Sequence, residues 1–167
     1  MYRRGFTVVE LIIVITIMSI LLVLGVVNLR STQANARDEE RKTDIESIAL
    51  QLENFYLSGT DGSTTIGDYP PTTLTGAAIQ PSLRDADMKS FTAPGAASLA
   101  ASFIPATNIT QTTAGIAPQP TISQYVYQPL QSDGTLCTTG AQECRKFNLY
   151  YRLEGDATVY MVGSKNQ

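Results

Sequence analysis

From Leu11 to Leu29 the chain carries no charged side chain, and that run constrains the fold more than any other stretch. As a helix rising roughly 1.5 Å per residue it extends about 28 Å, close to the ~30 Å hydrocarbon core of a bilayer. Before it stand a short basic head, Met1-Tyr2-Arg3-Arg4, and then Gly5-Phe6-Thr7-Val8-Val9-Glu10. Glu10 is the single ionisable group in the apolar zone. A carboxylate at that depth costs free energy unless it is paired, which marks it as a functional candidate. No Lys or Arg lies between Gly5 and Arg30. Cutting the chain after Gly5 would supply a cation: the new amino group of Phe6, at the depth of Glu10 and one helical turn away, in the same chain or a neighbouring one. A carboxylate in the first turn is also favoured by the helix dipole.

Gly5-Phe6-Thr7-Val8-Val9-Glu10-Leu11-Ile12-Ile13-Val14-Ile15 resembles the class III signal of type IV pilins and pseudopilins. The resemblance covers about the first 30 residues; the rest is similar only in layout. It implies cleavage by a membrane prepilin peptidase between Gly5 and Phe6, N-methylation of Phe6, and neutralisation of the Phe6 amine of one subunit by Glu10 of the next. It implies a helical homo-oligomeric filament built at an inner-membrane assembly platform. Precursors would wait in the cytoplasmic membrane and assembled copies would reach the cell surface as a pilus. The same signal serves pseudopilins of a type II secretion or competence (DNA-uptake) machine. A helix-breaking proline, common in pilin stems, is missing; Gly25 and Asn28 are the soft spots.

Two plainer readings remain open beside it. One is a simple membrane anchor with Glu10 incidental. The other is a cleavable signal peptide cut after Ala34-Asn35-Ala36, although the apolar run exceeds the roughly 7–15 residues of a secretory core and Glu10 then has no role. N-terminal sequencing separates the three, giving Phe6, Met1 or Arg37.

The 167 residues allow one domain with a real core beyond the stem. Net charge is −3, and loss of Arg3 and Arg4 with the leader would take the side-chain sum to −5, which gives no general attraction for nucleic acid. Arg3 and Arg4 favour a cytoplasmic N-terminus and place the bulk of the chain outside. There the two cysteines, Cys137 and Cys144, are expected to form one disulfide. The family's late disulfide occupies a similar place.

The helix is expected to continue past the membrane, from about Phe6 to Leu57, because Arg30 to Leu57 holds no Gly or Pro. Arg37-Asp38-Glu39-Glu40-Arg41-Lys42 reads as a solvated stretch with Asp38 and Lys42 as an i,i+4 pair. Ile45, Ile48, Ala49, Leu52, Phe55 and Tyr56 recur at helical spacing and form a stripe able to carry a sheet, with Asp44, Glu46 and Glu53 off it. Ser58-Gly59 and Thr60-Asp61-Gly62-Ser63 mark the end. Residues 59–123 are rich in Thr, Ala, Gly and Pro. Within them Tyr69-Pro70-Pro71 is rigid and extended, and Ser82 to Lys89 is a short helix capped by Ser82. From Ser90 to Ser132 no residue is charged, yet Phe91, Leu99, Phe103, Ile104, Ile109, Ile116 and Ile122 punctuate the segment. It reads as a loop packed over the domain's own sheet, with a subunit-contact surface as the competing reading. Asn108-Ile109-Thr110 matches an N-glycosylation acceptor, a pattern short enough to arise by chance.

Alternation places strands at Gln124–Gln128, at Arg145–Glu154 with Phe147, Leu149, Tyr151 and Leu153 on one face, and at Thr158–Val162. The expected fold is α+β: one long helix packed on a small antiparallel sheet of about three strands. The expected divisions are a leader over 1–5, a membrane stem over 6–29, an amphipathic continuation over 30–57, and a head over 58–167 with an irregular part to 123 and the sheet over 124–163. No catalytic residue, cofactor or metal is expected. The chain has no His, and two Cys alone make a poor metal site. No phosphate-binding glycine loop occurs, and the Asp-rich calcium loop of major pseudopilins is not recognisable.

Overall fold

The computed structural model describes residues 5–59, 66–83, 86–156 and 158–166, with the side chains of Val27 and Asn28 left undescribed. The basic pair Arg3–Arg4, the turn expected over 60–63, and Arg84–Asp85 lie outside the described residues, as does the side chain of Asn28. The chain divides into two compact units, Met1–Ala36 and Arg37–Gln167. One helix, α1 (Val8–Ser58), contributes to both.

α1 begins two residues later than Phe6 because Thr7 takes the capping position. In the first unit its large apolar side chains, from Val8 at 74% to Val14 and Val26 at 43%, are solvent-exposed among the described residues. The length and apolarity of this part are those of a membrane span. The two hydroxyls between Leu11 and Leu29 are bonded within the helix: Thr16 Oγ1 donates to the carbonyl of Ile12 at 2.6 Å and Ser19 Oγ to that of Ile15 at 2.7 Å. Gly25 lies within unbroken helix. At the far end Gly59 adopts φ 66° and donates its N–H to the carbonyl of Phe55 at 2.7 Å, the left-handed stop that a residue without Cβ adopts at least cost.

The second unit is α+β. Beyond α1 come a 3-10 turn at Gly76–Ala78, α2 (Ile79–Ser82), α3 (Leu99–Ser102), β1 (Phe103–Pro105), β2 (Tyr125–Leu130), β3 (Lys146–Arg152) and β4 (Val159–Gly163). The strands form one sheet in the order β1-β2-β3-β4. The three antiparallel strands anticipated from alternation are present. A fourth, β1, pairs parallel with β2, Phe103 opposite Tyr125, so the sheet is mixed. β1 arises where an irregular loop was expected because Phe103 is an anchor. It is fully buried, with its ring 5.0 Å from Phe91 and 5.6 Å from Tyr127.

One face of the sheet receives α1. Ile45, Ile48 and Leu52, each at most 1% exposed, pack with Tyr125, Tyr127, Phe147, Leu149, Tyr151 and Leu153, and each of these large side chains gains roughly 1.5–3 kcal/mol by burial. The opposite face is covered too. Ala106 and Ile116 from the uncharged segment close over Val126 and Tyr150, which is why every residue of β2 is buried. Gln128 reaches into this layer without leaving a polar atom unpaired. Its Nε2 donates to the carbonyls of Asn108 (2.9 Å) and Thr110 (3.1 Å), while Oε1 accepts from Asn148 Nδ2 and the Tyr150 hydroxyl, both at 3.0 Å. The uncharged segment is therefore mostly core covering, with Ile109 and Ile122 left exposed. Its Asn108 amide closes the loop, donating to the carbonyl of Gly115 and accepting from the N–H of Ala117.

The short helix expected from Ser82 instead ends there. Ile79, fully buried, places that turn earlier, and Asp87 makes a side-chain-capped turn by accepting from the N–H of Lys89.

Candidate functional site

The N-terminal site is built by the first turn of α1. Thr7 precedes the helix and Glu10 is its third residue. Thr7 Oγ1 accepts from the N–H of Glu10 at 3.2 Å, and Glu10 Oε2 accepts from both the N–H (3.0 Å) and the hydroxyl (2.9 Å) of Thr7. This reciprocal arrangement is a capping box, which satisfies helix donors that otherwise lack partners. Within a single chain the carboxylate is therefore held by Thr7. Thr7 had no assigned role, although Thr-x-x-Glu ahead of an apolar run is a legible signal for it. Gly5 and Phe6 precede the helix; Phe6 is 89% exposed, and among the described residues nothing beyond its chain neighbours lies within 4 Å of where a Cβ on Gly5 would stand.

A second cluster lies at the start of the other unit, where a solvated charge run was expected. The structure corrects this: Arg41 is 1% exposed and Asp38 7%. Asp38 accepts from the N–H groups of Glu154 (2.7 Å) and Gly155 (2.9 Å) and from Arg41 Nη1 (2.7 Å). Arg41 also donates through Nε to the carbonyl of Ile122 at 2.6 Å. Arg37 grips Glu154 with two hydrogen bonds of 2.8 and 2.6 Å. The turn after β3 thus docks its exposed N–H groups on a helix carboxylate, and Arg41 neutralises that carboxylate. Lys42 pairs with Glu39 at 2.7 Å rather than with Asp38. Burial alone would raise the Asp38 carboxyl, but the two backbone donors and the Arg41 guanidinium outweigh it and hold it below its ordinary value.

Two of the three acids set off the apolar stripe, Glu53 and Asp44, are likewise engaged. Glu53 accepts from the Tyr69 hydroxyl (2.9 Å), the N–H of Lys165 (2.7 Å) and Asn166 Nδ2 (2.7 Å). Asp44 accepts from the Tyr125 hydroxyl at 2.8 Å. Desolvation pushes Asp44 up to about 6, with Glu40 and Asp87 pushing the same way and Tyr125 and Lys89 opposing. Only Glu46 of these three acids is solvent-exposed.

Cys137 and Cys144 form a disulfide. The bridged loop also holds the extended Tyr69-Pro70-Pro71 segment, since the N–H of Tyr69 donates to the Cys144 carbonyl and that of Thr72 to the Cys137 carbonyl. Among the described residues no group of three or more His, Cys, Asp or Glu side chains is placed to hold a metal ion.

The geometry comprises an exposed apolar helix, a capped carboxylate at its start and a covered α+β unit. Residues 1–26 match the family model described as the prokaryotic N-terminal methylation motif. This is the class III signal of type IV pilins and pseudopilins. Proteins bearing it are structural rather than catalytic, and the motif implies processing by prepilin peptidase and association with a membrane. No curated protein and no solved structure matches the chain.

Proposed function

We propose that the protein is a structural subunit of a type IV pilus-like filament. It is made as a precursor in the cytoplasmic membrane, cut between Gly5 and Phe6, and N-methylated on Phe6. Copies then bundle through the apolar part of α1, and Glu10 of an incoming subunit exchanges its Thr7 hydrogen bonds for the Phe6 amine of a subunit already in place. The supporting observation is the coincidence of the methylation motif with a helix whose described large apolar side chains between Val8 and Leu29 are solvent-exposed. The ion pair also checks register, because a subunit entering at the wrong height leaves a buried charge alone, at a cost of about 3–5 kcal/mol. Assembled copies stand on the cell surface. A pseudopilin of a secretion or DNA-uptake machine would use the same signal; long surface filaments containing this chain favour the pilus, and short periplasm-spanning fibres the alternative.

Glu10→Gln tests the reading. Gln serves as well as Glu in a capping box, so the substitution keeps the helix start and removes only the charge. Mass spectrometry of the mature N-terminus should show methylated Phe6 in both forms, while sheared filaments disappear from the variant. An N-terminus still at Met1, or undiminished filaments from Glu10→Gln, would defeat the proposal.

A further inference from the structure

The sheet ends on an unprotected edge. β4 is outermost, and the ladder that joins it to β3 has a defined phase. Ser164 donates its N–H to the carbonyl of Phe147, while Asn148 stands opposite Gly163 and Tyr150 opposite Met161. Bonded and non-bonded pairs alternate along an antiparallel ladder. Tyr160 and Val162 therefore direct their backbone groups at β3, and Val159, Met161 and Gly163 turn theirs outward. Among the described residues no backbone hydrogen bond outside the β3–β4 ladder involves those three. Natural edges are blunted by charge, proline or a bulge. Val159-Tyr160-Met161-Val162-Gly163 has neither charge nor proline, its register with β3 is uninterrupted, and Met161 is 45% exposed.

We propose that β4 pairs antiparallel with β4 of a second copy of this chain, centred on Met161, so that two heads share one continuous sheet. The phase selects this register. Outward-facing residues must meet outward-facing residues, and centring on Met161 sets Met161 against Met161 and Val159 against Gly163 while using the whole strand. No like charges face each other. Beyond the strand, Asp156, whose carboxylate caps Thr158 and Tyr160 in its own turn, falls at the same end of the pairing as Lys165 of the other copy, opposite charges that favour the antiparallel sense. A five-residue pairing is small beside a stable dimer interface, so one contact is weak. An array of heads on a filament multiplies it, and two filaments would then adhere side by side. That bundling rests on the filament reading; the strand pairing does not.

Site-directed disulfide cross-linking of the full-length chain in cells tests this. Under mild oxidation Met161→Cys should give a reducible dimer of twice the subunit mass. Differently tagged Val159→Cys and Gly163→Cys chains, expressed together, should join to each other. Gln111→Cys, exposed but away from the edge, should remain monomeric. Asp156→Lys added to Met161→Cys should cut the dimer at least threefold, and Asp156→Lys with Lys165→Asp should restore it. Absence of the Met161→Cys dimer, equal cross-linking from Gln111→Cys, or an adduct with a different protein in its place overturns the pairing. With Glu10→Gln in the Met161→Cys chain the dimer should persist in the unassembled pool, so failure of the filament reading leaves the edge contact standing and failure of the edge contact leaves filaments intact.

Discussion

Two carboxylates on one helix show how far the meaning of an acid depends on what meets it. Asp38 pairs with a buried guanidinium and two backbone donors. Asp38→Ala should therefore destabilise the head by about 3 kcal/mol, because buried Arg41 loses its closer counter-ion and keeps only Glu154 at 3.6 Å, while two backbone donors lose their acceptor. Arg37→Ala, which removes a half-exposed partner of Glu154, should cost no more than about 1 kcal/mol; denaturant melts of the two variants measure the difference. Asp44 behaves in the opposite sense. Its folded carboxyl is raised from 3.8 to about 6, so its protonated form favours folding. The stability it lends is full below about pH 4 and is lost as pH rises through about 6. Asp44→Asn should flatten that slope and stabilise the head near pH 7 by about 1 kcal/mol, a figure reduced from the full shift because solvent screens part of the charge. A series of thermal melts from pH 4 to 7 reads both effects. These burials were not legible in the sequence. The groups that enclose Asp38 and Arg41 come from Ile122 and from Glu154–Gly155, far along the chain, and local charge patterning shows only the acids and bases of the helix itself.

At the scale of elements the alternation of apolar residues was a sound guide. β2, β3 and β4 fall within two residues of the spans read from it, and the Ile45–Tyr56 stripe meets the sheet through Ile48 and Leu52. β1 escaped detection for physical reasons. It has three residues, ends in Pro105, and pairs parallel with a distant strand, so it carries neither the length nor the period of a strand. The capping box at Thr7 and Glu10 was readable but overshadowed by the question of what neutralises the acid. Since the stripe supplies α1's apolar contact with the sheet's inner face, Leu52→Asp should unfold the head by placing a charge where exposure is zero. The membrane-embedded part of α1 should be unaffected: circular dichroism of the purified variant in detergent should lose β signal and retain helix, and fractionation should still find the chain in membranes. Closing the Cys137–Cys144 loop contributes about 2–3 kcal/mol in the chain-entropy picture, and its carbonyls also position the Tyr69-Pro70-Pro71 strut.

For the whole molecule, the two units answer to different solvents. Among the described residues the first buries no apolar side chain and is long and apolar enough to cross a membrane; the second covers both faces of its sheet. Thr7→Ala separates capping from charge, since it frays the first turn at a cost of about 1 kcal/mol but leaves the carboxylate. Sheared-filament yield should fall severalfold, short of the complete loss expected for Glu10→Gln, and N-terminal processing should continue. The grip of Glu53 on Lys165 and Asn166 has a practical corollary. A reporter fused after Asn166 departs from a base anchored to α1. Trimming the chain back to Ser164 would unplug that carboxylate from two of its three donors, and should harm folding more than deletions in the loop tip around Gln111.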